Sequence, residues 1–460
     1  MQGMELRSWI TGRSTGFGLI VMLLALAVLA FSIVRAPATQ AQADGGTRFL
    51  GVASCAGSTC HGRMEGDGTV VRQDELMRWQ EPSTPGGSHS RAFAVLSNSR
   101  SQFIARNLGI SDAVGGAAYR GDGVGCESCH GPSGGWIASH YAGVGTTVDP
   151  DAEMRAKHLA NLGAGLVKLE DPKVRARVCL DCHYGAAGDG QFVTHRIMAA
   201  GHPRIAFEMD LFSTLQQHHA EDRDYSVRKG APDHMQMWAV GQAAALSRSL
   251  ALFQSRRGTE GVFPEFYFYD CHSCHRRIFD QAKAVRTGVD NPARVGLPEG
   301  MPPFNDENMI MLAAAARLAD AGLAAELDAR GRAFHAAMAE GRPGAVKAAA
   351  ALAETSARLE NAFAARNFST EDGFRLVDAI AGSAIAPRFT DYSGSVQAVM
   401  GIDTLLNAMV ASGRVTIGAA AGIRSDIDRA YGAVKDPNAF RPADFQASLG
   451  SAVRAIRALR

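Results

Sequence analysis

Gly123-Val-Gly-Cys126-Glu-Ser-Cys129-His130-Gly-Pro132 is the stretch on which the reading of this chain turns. Two thiols spaced by two residues, with a histidine directly after the second, recur as Cys179-Leu-Asp-Cys182-His183 and Cys271-His-Ser-Cys274-His275. Cys55-Ala-Gly-Ser-Thr-Cys60-His61 is a stretched form with four residues between the thiols. All eight cysteines of the 460 residues fall in these clusters. The spacing is that of covalent c-type haem attachment, in which two thiols add to the vinyl groups of one porphyrin. The histidine that follows reaches the iron as proximal ligand. Four covalent haem c groups are therefore expected on Cys55 and Cys60, Cys126 and Cys129, Cys179 and Cys182, and Cys271 and Cys274. Their proximal ligands would be His61, His130, His183 and His275.

Two other uses of cysteine compete. A structural zinc site takes Cys and His ligands, but zinc gives no reason for a histidine after the second cysteine in every cluster. A disulfide framework belongs to small secreted domains short of core, whereas 46% of this long chain is hydrophobic.

The amino terminus points to export. Arg7 and Arg13 precede an apolar run from Phe17 to Val34, and Ala41-Gln42-Ala43 forms an A-x-A-like exit. Residues 1–43 are expected as a signal peptide. The run is also close to the length that spans a bilayer, so an N-terminal membrane anchor is the alternative. Either places the cysteine-bearing part in the periplasm.

Composition divides the remainder. Residues 44–291 hold every cysteine, three of the four tryptophans and 13 of the 14 histidines, among glycines and short polar loops. Residues 292–305, with Pro292, Pro298, Pro302 and Pro303, read as a linker. Residues 306–460 are rich in alanine and lack Cys and Trp. There Phe445, Leu449, Val453, Ile456 and Leu459 keep helical phase after Pro442. Val396, Val399, Met400, Leu405, Leu406 and Met409 mark another helix stopped near Gly413, and Ser369 with Asp372 forms a capping pair before a third. Leu312 to Leu318 and Val346 to Leu359 favour helix through alanine. The expected fold is mainly α, a loop-rich multihaem core followed by a bundle of five to seven helices. His335 reads as a core or surface residue. From His234, the residues Met235, Trp238, Gln242, Leu246, Leu250 and Phe253 share one helix face, read as core rather than a haem edge.

Four irons can take four further axial ligands. The candidates are His89, His140, His195 and His202, with His219 in reserve; Met198 competes between two of them, and His272, inside its motif, is expected to point away. Two imidazoles would make each iron six-coordinate and low-spin.

FLGVASCAGSTCHG from Phe49, Trp79, SHSRAFAVL from Ser88, GVGCESCHGP and the following His140 resemble the cytochrome c-five-fifty-four family, tetrahaem electron carriers of ammonia oxidisers. The resemblance covers Phe49 to Tyr184. It implies that His89 and His140 are axial ligands. The segments VTHRIMAAGHPRIAFEMDLF and FPEFYFYDCHSCHR are similar to a broader set of bacterial multihaem cytochromes, in which a histidine near His219 recurs. The family carries its five-coordinate, nitric-oxide-reactive iron on a motif that has no match here, since His61 to Gly125 holds no cysteine. The C-terminal helical part has no counterpart in the small carriers.

Two function classes follow. One is electron transfer between periplasmic or membrane redox partner proteins, which needs only closed irons. The other is an oxidoreductase acting on a small nitrogen or sulfur compound at a five-coordinate haem. Enough histidines are present to close every iron, which favours the carrier. A third, blander class, a partner-docking protein built around the helical part, names no partner. With 47 basic and 46 acidic residues and no basic run, nothing suggests nucleic acid.

Overall fold

The computed structural model describes residues 48–67, 72–110, 120–142, 149–188, 190–204, 206–259, 263–275, 294, 297–298, 301–384 and 391–460. The expected signal peptide or anchor, 1–43, lies outside them. Among the described residues the chain is mainly helical and no helix is long and apolar enough to cross a membrane. Its strand-like pairing is one isolated bridge, Tyr269 with Phe304.

The motif-bearing part carries short helices between loops: α1 (Glu75–Gln80), α2 (Ser99–Leu108), α3 (Cys126–His130), α4 (Ile137–Tyr141), α5 (Pro150–Gly163), α6 (Pro172–His183), α7 (His195–Ala199), α8 (Met209–Leu215) and α9 (Arg223–Lys229). The long α10 (His234–Gln254) follows, then α11 (Arg256–Thr259) and α12 (Cys271–Cys274). Seven helices complete the chain: α13 (Glu307–Ala319), α14 (Ala321–Glu340), α15 (Arg342–Ala364), α16 (Thr370–Ala384), α17 (Tyr392–Ala411), α18 (Ile417–Ala433) and α19 (Pro442–Arg457).

Helix α10 organises the core. Its sequence is apolar nearly all round, which marks a helix enclosed by others rather than lying on a surface. Met235, Trp238, Gln242, Leu246, Leu250 and Phe253 are all buried, and so are Val240 and Ala243 on other faces. It packs against α6, α8, α13, α15 and α17. At its crossing with α8 a Cβ on Gly241 would stand 2.7 Å from Cβ of Met209, so the approach requires glycine. The Asp233 side chain caps α10 by accepting from N–H of Gln236.

The expected helices of 306–460 form with their caps. Phe445, Leu449, Val453 and Ile456 of α19 are buried. Asp372 N–H donates to Ser369 Oγ at 3.2 Å while Ser369 N–H donates to Asp372 at 2.9 Å, a reciprocal box at the start of α16. Gly413, at φ 74°, ends α17. His335 is a core residue, its Nδ1 3.0 Å from the Gly331 carbonyl.

The boundary expected at 292–305 does not separate two cores. One hydrophobic cluster runs from Ala176 in α6 to Ile456 in α19. Phe304 is fully buried among aromatic rings, and Arg294 pairs with Asp306 and, at 2.6 Å, with Asp391 in the interior. Asp270 N–H donates to Pro303 O at 2.9 Å, and Asn305 N–H to Phe268 O at 2.8 Å, which pins this segment to the approach of the last motif. Among the described residues of the segment Pro298 is exposed, but Arg294 and Pro303 to Asn305 are buried, held by the Arg294 ion cluster and the packing of Phe304.

A chain of buried amides joins the two parts. Tyr184 OH donates to Asn308 Oδ1, Asn308 Nδ2 to Gln242 Oε1 at 2.8 Å, Gln242 Nε2 to Gln397 Oε1 at 3.4 Å, and Gln397 Nε2 to the Phe207 carbonyl at 2.9 Å. Each link satisfies a polar group that burial would otherwise leave unpaired.

Candidate functional site

The four cysteine clusters sit on different local scaffolds. Asp171 caps α6 ahead of Pro172, and Ala176 and Leu180 face the core, so Cys179 and His183 share the adjacent stripe one turn apart. The Cys126 cluster forms α3, where buried Glu127 accepts N–H groups from Leu50, Gly51 and Ser133 at 2.6–3.0 Å. That carboxylate, with Asp122 accepting from Val52 N–H at 2.8 Å, ties the lead-in of the first cluster to the second. The stretched cluster stays a loop, closed by His61 N–H donating to Cys55 O at 3.2 Å. Asp270 caps α12 through N–H of His272 at 3.1 Å.

Each motif histidine meets an imidazole from elsewhere in the chain. His61 stacks with His140, ring centres 6.0 Å apart and 21° between planes. His183 and His89 stand 6.2 Å apart, and His275 and His195 5.9 Å. His130 has two neighbours, His219 at 5.8 Å and His218 at 6.3 Å. A metal held between two imidazole nitrogens at about 2 Å each spaces the rings by about 6 Å, so these pairs fit that use.

Three of the four expected distal histidines thus face a motif histidine. His202 does not: its Nδ1 bonds the Pro203 carbonyl at 2.8 Å, and no described ring contact brings it to His130. His218 and His219, in the loop before α9, stand there instead. Their ligand atoms and that of His130 all lie within 4.8 Å of one another. Nε2 of His219 is buried without a partner. The adjacent His-His pair was the available signal, but a loop gives no periodicity by which to aim it. His272 packs against Tyr392 and Phe440, facing the bundle. His158 and His234 are committed to Glu170 and Asp210 at 2.7 and 2.9 Å.

Burial favours the neutral, metal-binding form of His130, His140, His183 and His219. It pulls His130 far below the ordinary histidine value, His140 and His183 to about 4 and His219 to about 3; neighbouring imidazoles add to the effect. His140 is positioned by Trp136, which meets it edge-on at 5.4 Å. Phe207 stacks on His183 at 4.5 Å. His61 Nδ1–H donates to Oε2 of Glu75 at 2.9 Å, and His219 Nδ1 lies 3.7 Å from Oε1 of the same carboxylate. Burial works to raise the Glu75 carboxyl, and the two imidazoles outweigh it, holding the group well below the usual carboxylate range.

The eight cysteines are free thiols. Those of different clusters approach each other: Cys55 and Cys126 share a hydrogen bond that draws Cys55 down to about 6 and pushes Cys126 up. Burial raises Cys129 and takes Cys179 to about 12, and the charges of the two thiols reach each other. The second cluster therefore neighbours both the first and the third. A cavity of about 400 Å³ lies between the first and second, walled by His61, His130, His140 and His219 with Lys157 and Lys229 among its basic residues. A second, of about 530 Å³, is lined by Arg204, Glu307, Tyr392 and Tyr431; Arg204 reaches Cys271 Sγ at 3.4 Å. The helical part thus forms a wall beside the fourth cluster.

Zinc fits this layout less well. Among the described residues the one convergent group of three or more His, Cys, Asp or Glu atoms is that of His130, His218 and His219, which includes no thiol. Comparison with known protein families, with curated proteins and with solved structures finds no match.

Proposed function

We propose that this chain is an exported tetrahaem c-type cytochrome that passes electrons between periplasmic or membrane redox partners. Its loop-rich part, 44–291, is the haem-bearing core. The observation that carries the reading is the set of imidazole pairs: all four motif histidines face a second imidazole at 5.8–6.3 Å. Haem c, when bound, supplies a one-electron iron couple. The residues do the rest. Cys55 and Cys60, Cys126 and Cys129, Cys179 and Cys182, and Cys271 and Cys274 anchor it through thioethers. His61, His130, His183 and His275 would hold the groups from their motifs, and His140, His219, His89 and His195, which face them, would be the second ligands. Two buried polar atoms without partners on residues lining the first cavity, Nε2 of His219 and Nε1 of Trp136, support a group seated there.

Closing both axial positions leaves no vacancy for a substrate, which favours a carrier over an oxidoreductase. The second cluster, a neighbour of both the first and the third, suits passage of electrons from one centre to the next. The test is an electron paramagnetic resonance spectrum of the oxidised exported protein, with its mass after acid–acetone extraction. Four covalent haems and only low-spin signals are expected. A high-spin signal near one iron in four, or carbon monoxide binding by the reduced protein, would move the reading to the enzyme.

A further inference from the structure

Glu75 is 6% exposed and sits between two clusters that are far apart in sequence. One carboxylate oxygen takes the Nδ1–H of His61 at 2.9 Å, and the other faces Nδ1 of His219 at 3.7 Å. Both contacts use the nitrogen that a ligand bound through Nε2 leaves over. In His219 that Nε2 is buried and unpartnered. His61 and His219 also meet edge to face, ring centres 6.5 Å apart.

Two imidazoles on opposite sides of one iron turn their Nδ1 atoms farther apart than a single carboxylate spans. Sharing Glu75 therefore places His61 and His219 on neighbouring centres. Two further contacts agree: His61 stacks on His140 and His219 meets His130, each at about ligand-pair spacing, 6.0 and 5.8 Å. Independently, Glu127 of the second cluster accepts N–H groups from Leu50 and Gly51, just before the first, which sets the two clusters side by side.

We propose that Glu75 is a positioning residue shared by two centres, holding the motif ligand His61 of one and the distal ligand His219 of the next on the two oxygens of a single carboxylate. This rests on the haem reading of the clusters. A carboxylate that accepts a ligand's Nδ1–H fixes its tautomer and makes the imidazole a stronger donor, which favours the oxidised metal. Because one charge serves both ligands, what one imidazole takes from it the other loses. Glu75 thereby lowers two potentials together and couples them.

Redox titration of holoprotein carrying Glu75→Gln tests this, alongside its electron paramagnetic resonance spectrum. Two of the four midpoints should rise, by about tenfold or more in the reduction equilibrium constant of each, with changed low-spin g-values; the other two should stay. A carboxylate that only supported the fold would alter stability and leave all midpoints and g-values in place, and that result overturns the proposal. Should the Gln variant fail to accumulate, His219→Met decides. The haem that gains a thioether rises in potential, and a second haem should fall, since Glu75 then serves His61 alone. A second haem that does not move overturns the coupling. The haem count of the wild-type protein keeps the two readings apart. Fewer than four covalent haems with the first or second cluster empty removes the reading beneath the proposal. Four haems with unmoved potentials removes the proposal alone.

Discussion

Asn308 is 4% exposed and stands at the middle of the buried amide chain, accepting from Tyr184 OH and donating to Gln242 Oε1 at 2.8 Å. Asn308→Ala removes both partners at once. Tyr184 OH then has no acceptor within a fully enclosed site, and Gln242, 1% exposed, loses its donor. Each orphaned group costs about 1–3 kcal/mol, so the variant should lose roughly 2–5 kcal/mol. Tyr184→Phe strands only Asn308 Oδ1 and should cost about 1–2 kcal/mol. The double variant should cost less than the sum, because the second change then removes a bond already lost. Urea unfolding of the holoprotein measures all three. The midpoint falls while the slope is kept if the effect is on the native state. Because Tyr184 directly follows His183, the loss should also show in the low-spin signal of one haem. An Asn308→Ala protein within about 0.5 kcal/mol of wild type at unchanged slope, typical of surface changes, would refute the view that this chain of amides locks the motif-bearing part to the bundle.

A chain ended at Gly300 exposes the buried face of α10 that α13, α15 and α17 cover, and should yield no soluble low-spin cytochrome; haem staining of the exported fraction checks this, and a soluble four-haem fragment would contradict the single core. Replacing His202 by Ala should leave every iron low-spin, whereas His89→Gly should make one iron high-spin and able to bind carbon monoxide when reduced, both read by optical and paramagnetic resonance spectra. The pairing of His234 with Asp210 raises the imidazole above its ordinary value of 6.5; its contribution to stability is full below about pH 6.5 and is lost as pH rises through the raised value. Wild type should therefore exceed His234→Gln in stability by more at pH 5.5 than at pH 9, and equal gaps at both, measured by urea unfolding, would refute the assignment.

Helical phase and cap chemistry were legible because they are local. Pro442 with Phe445, Leu449 and Val453, or Ser369 with Asp372, carry their reading within a turn or two. The same holds for the α10 face from Met235 to Phe253. His89, His140 and His195 could be singled out beside the motifs, and the structure sets each against a motif histidine. His202 was drawn in by closeness in sequence to His195, yet after a turn at Gly201, φ 118°, it lies half-buried with its Nδ1 on the Pro203 carbonyl. His218, His219 and Glu75 take their meaning from contacts with His130 and His61, residues of clusters far along the chain, which no local pattern encodes. Along 292–305 proline reports only that regular hydrogen bonding stops, while burial of Phe304 and Arg294 is decided by what the rest of the chain packs over them.

Helix α10 lies before its own covering in the order of synthesis, since α13, α15 and α17 all follow it. A chain threaded amino end first therefore delivers all eight cysteines before the segments that will enclose its core have emerged. Until Ile456 arrives the hydrophobic cluster lacks its last layer. The thiols of Cys129 and Cys179, half-buried once folding ends, are more open during that interval. Closing the core is thus a late act of the C-terminal third, and under the proposed haem reading the waiting time it imposes is the period in which the motifs would be attached to their groups.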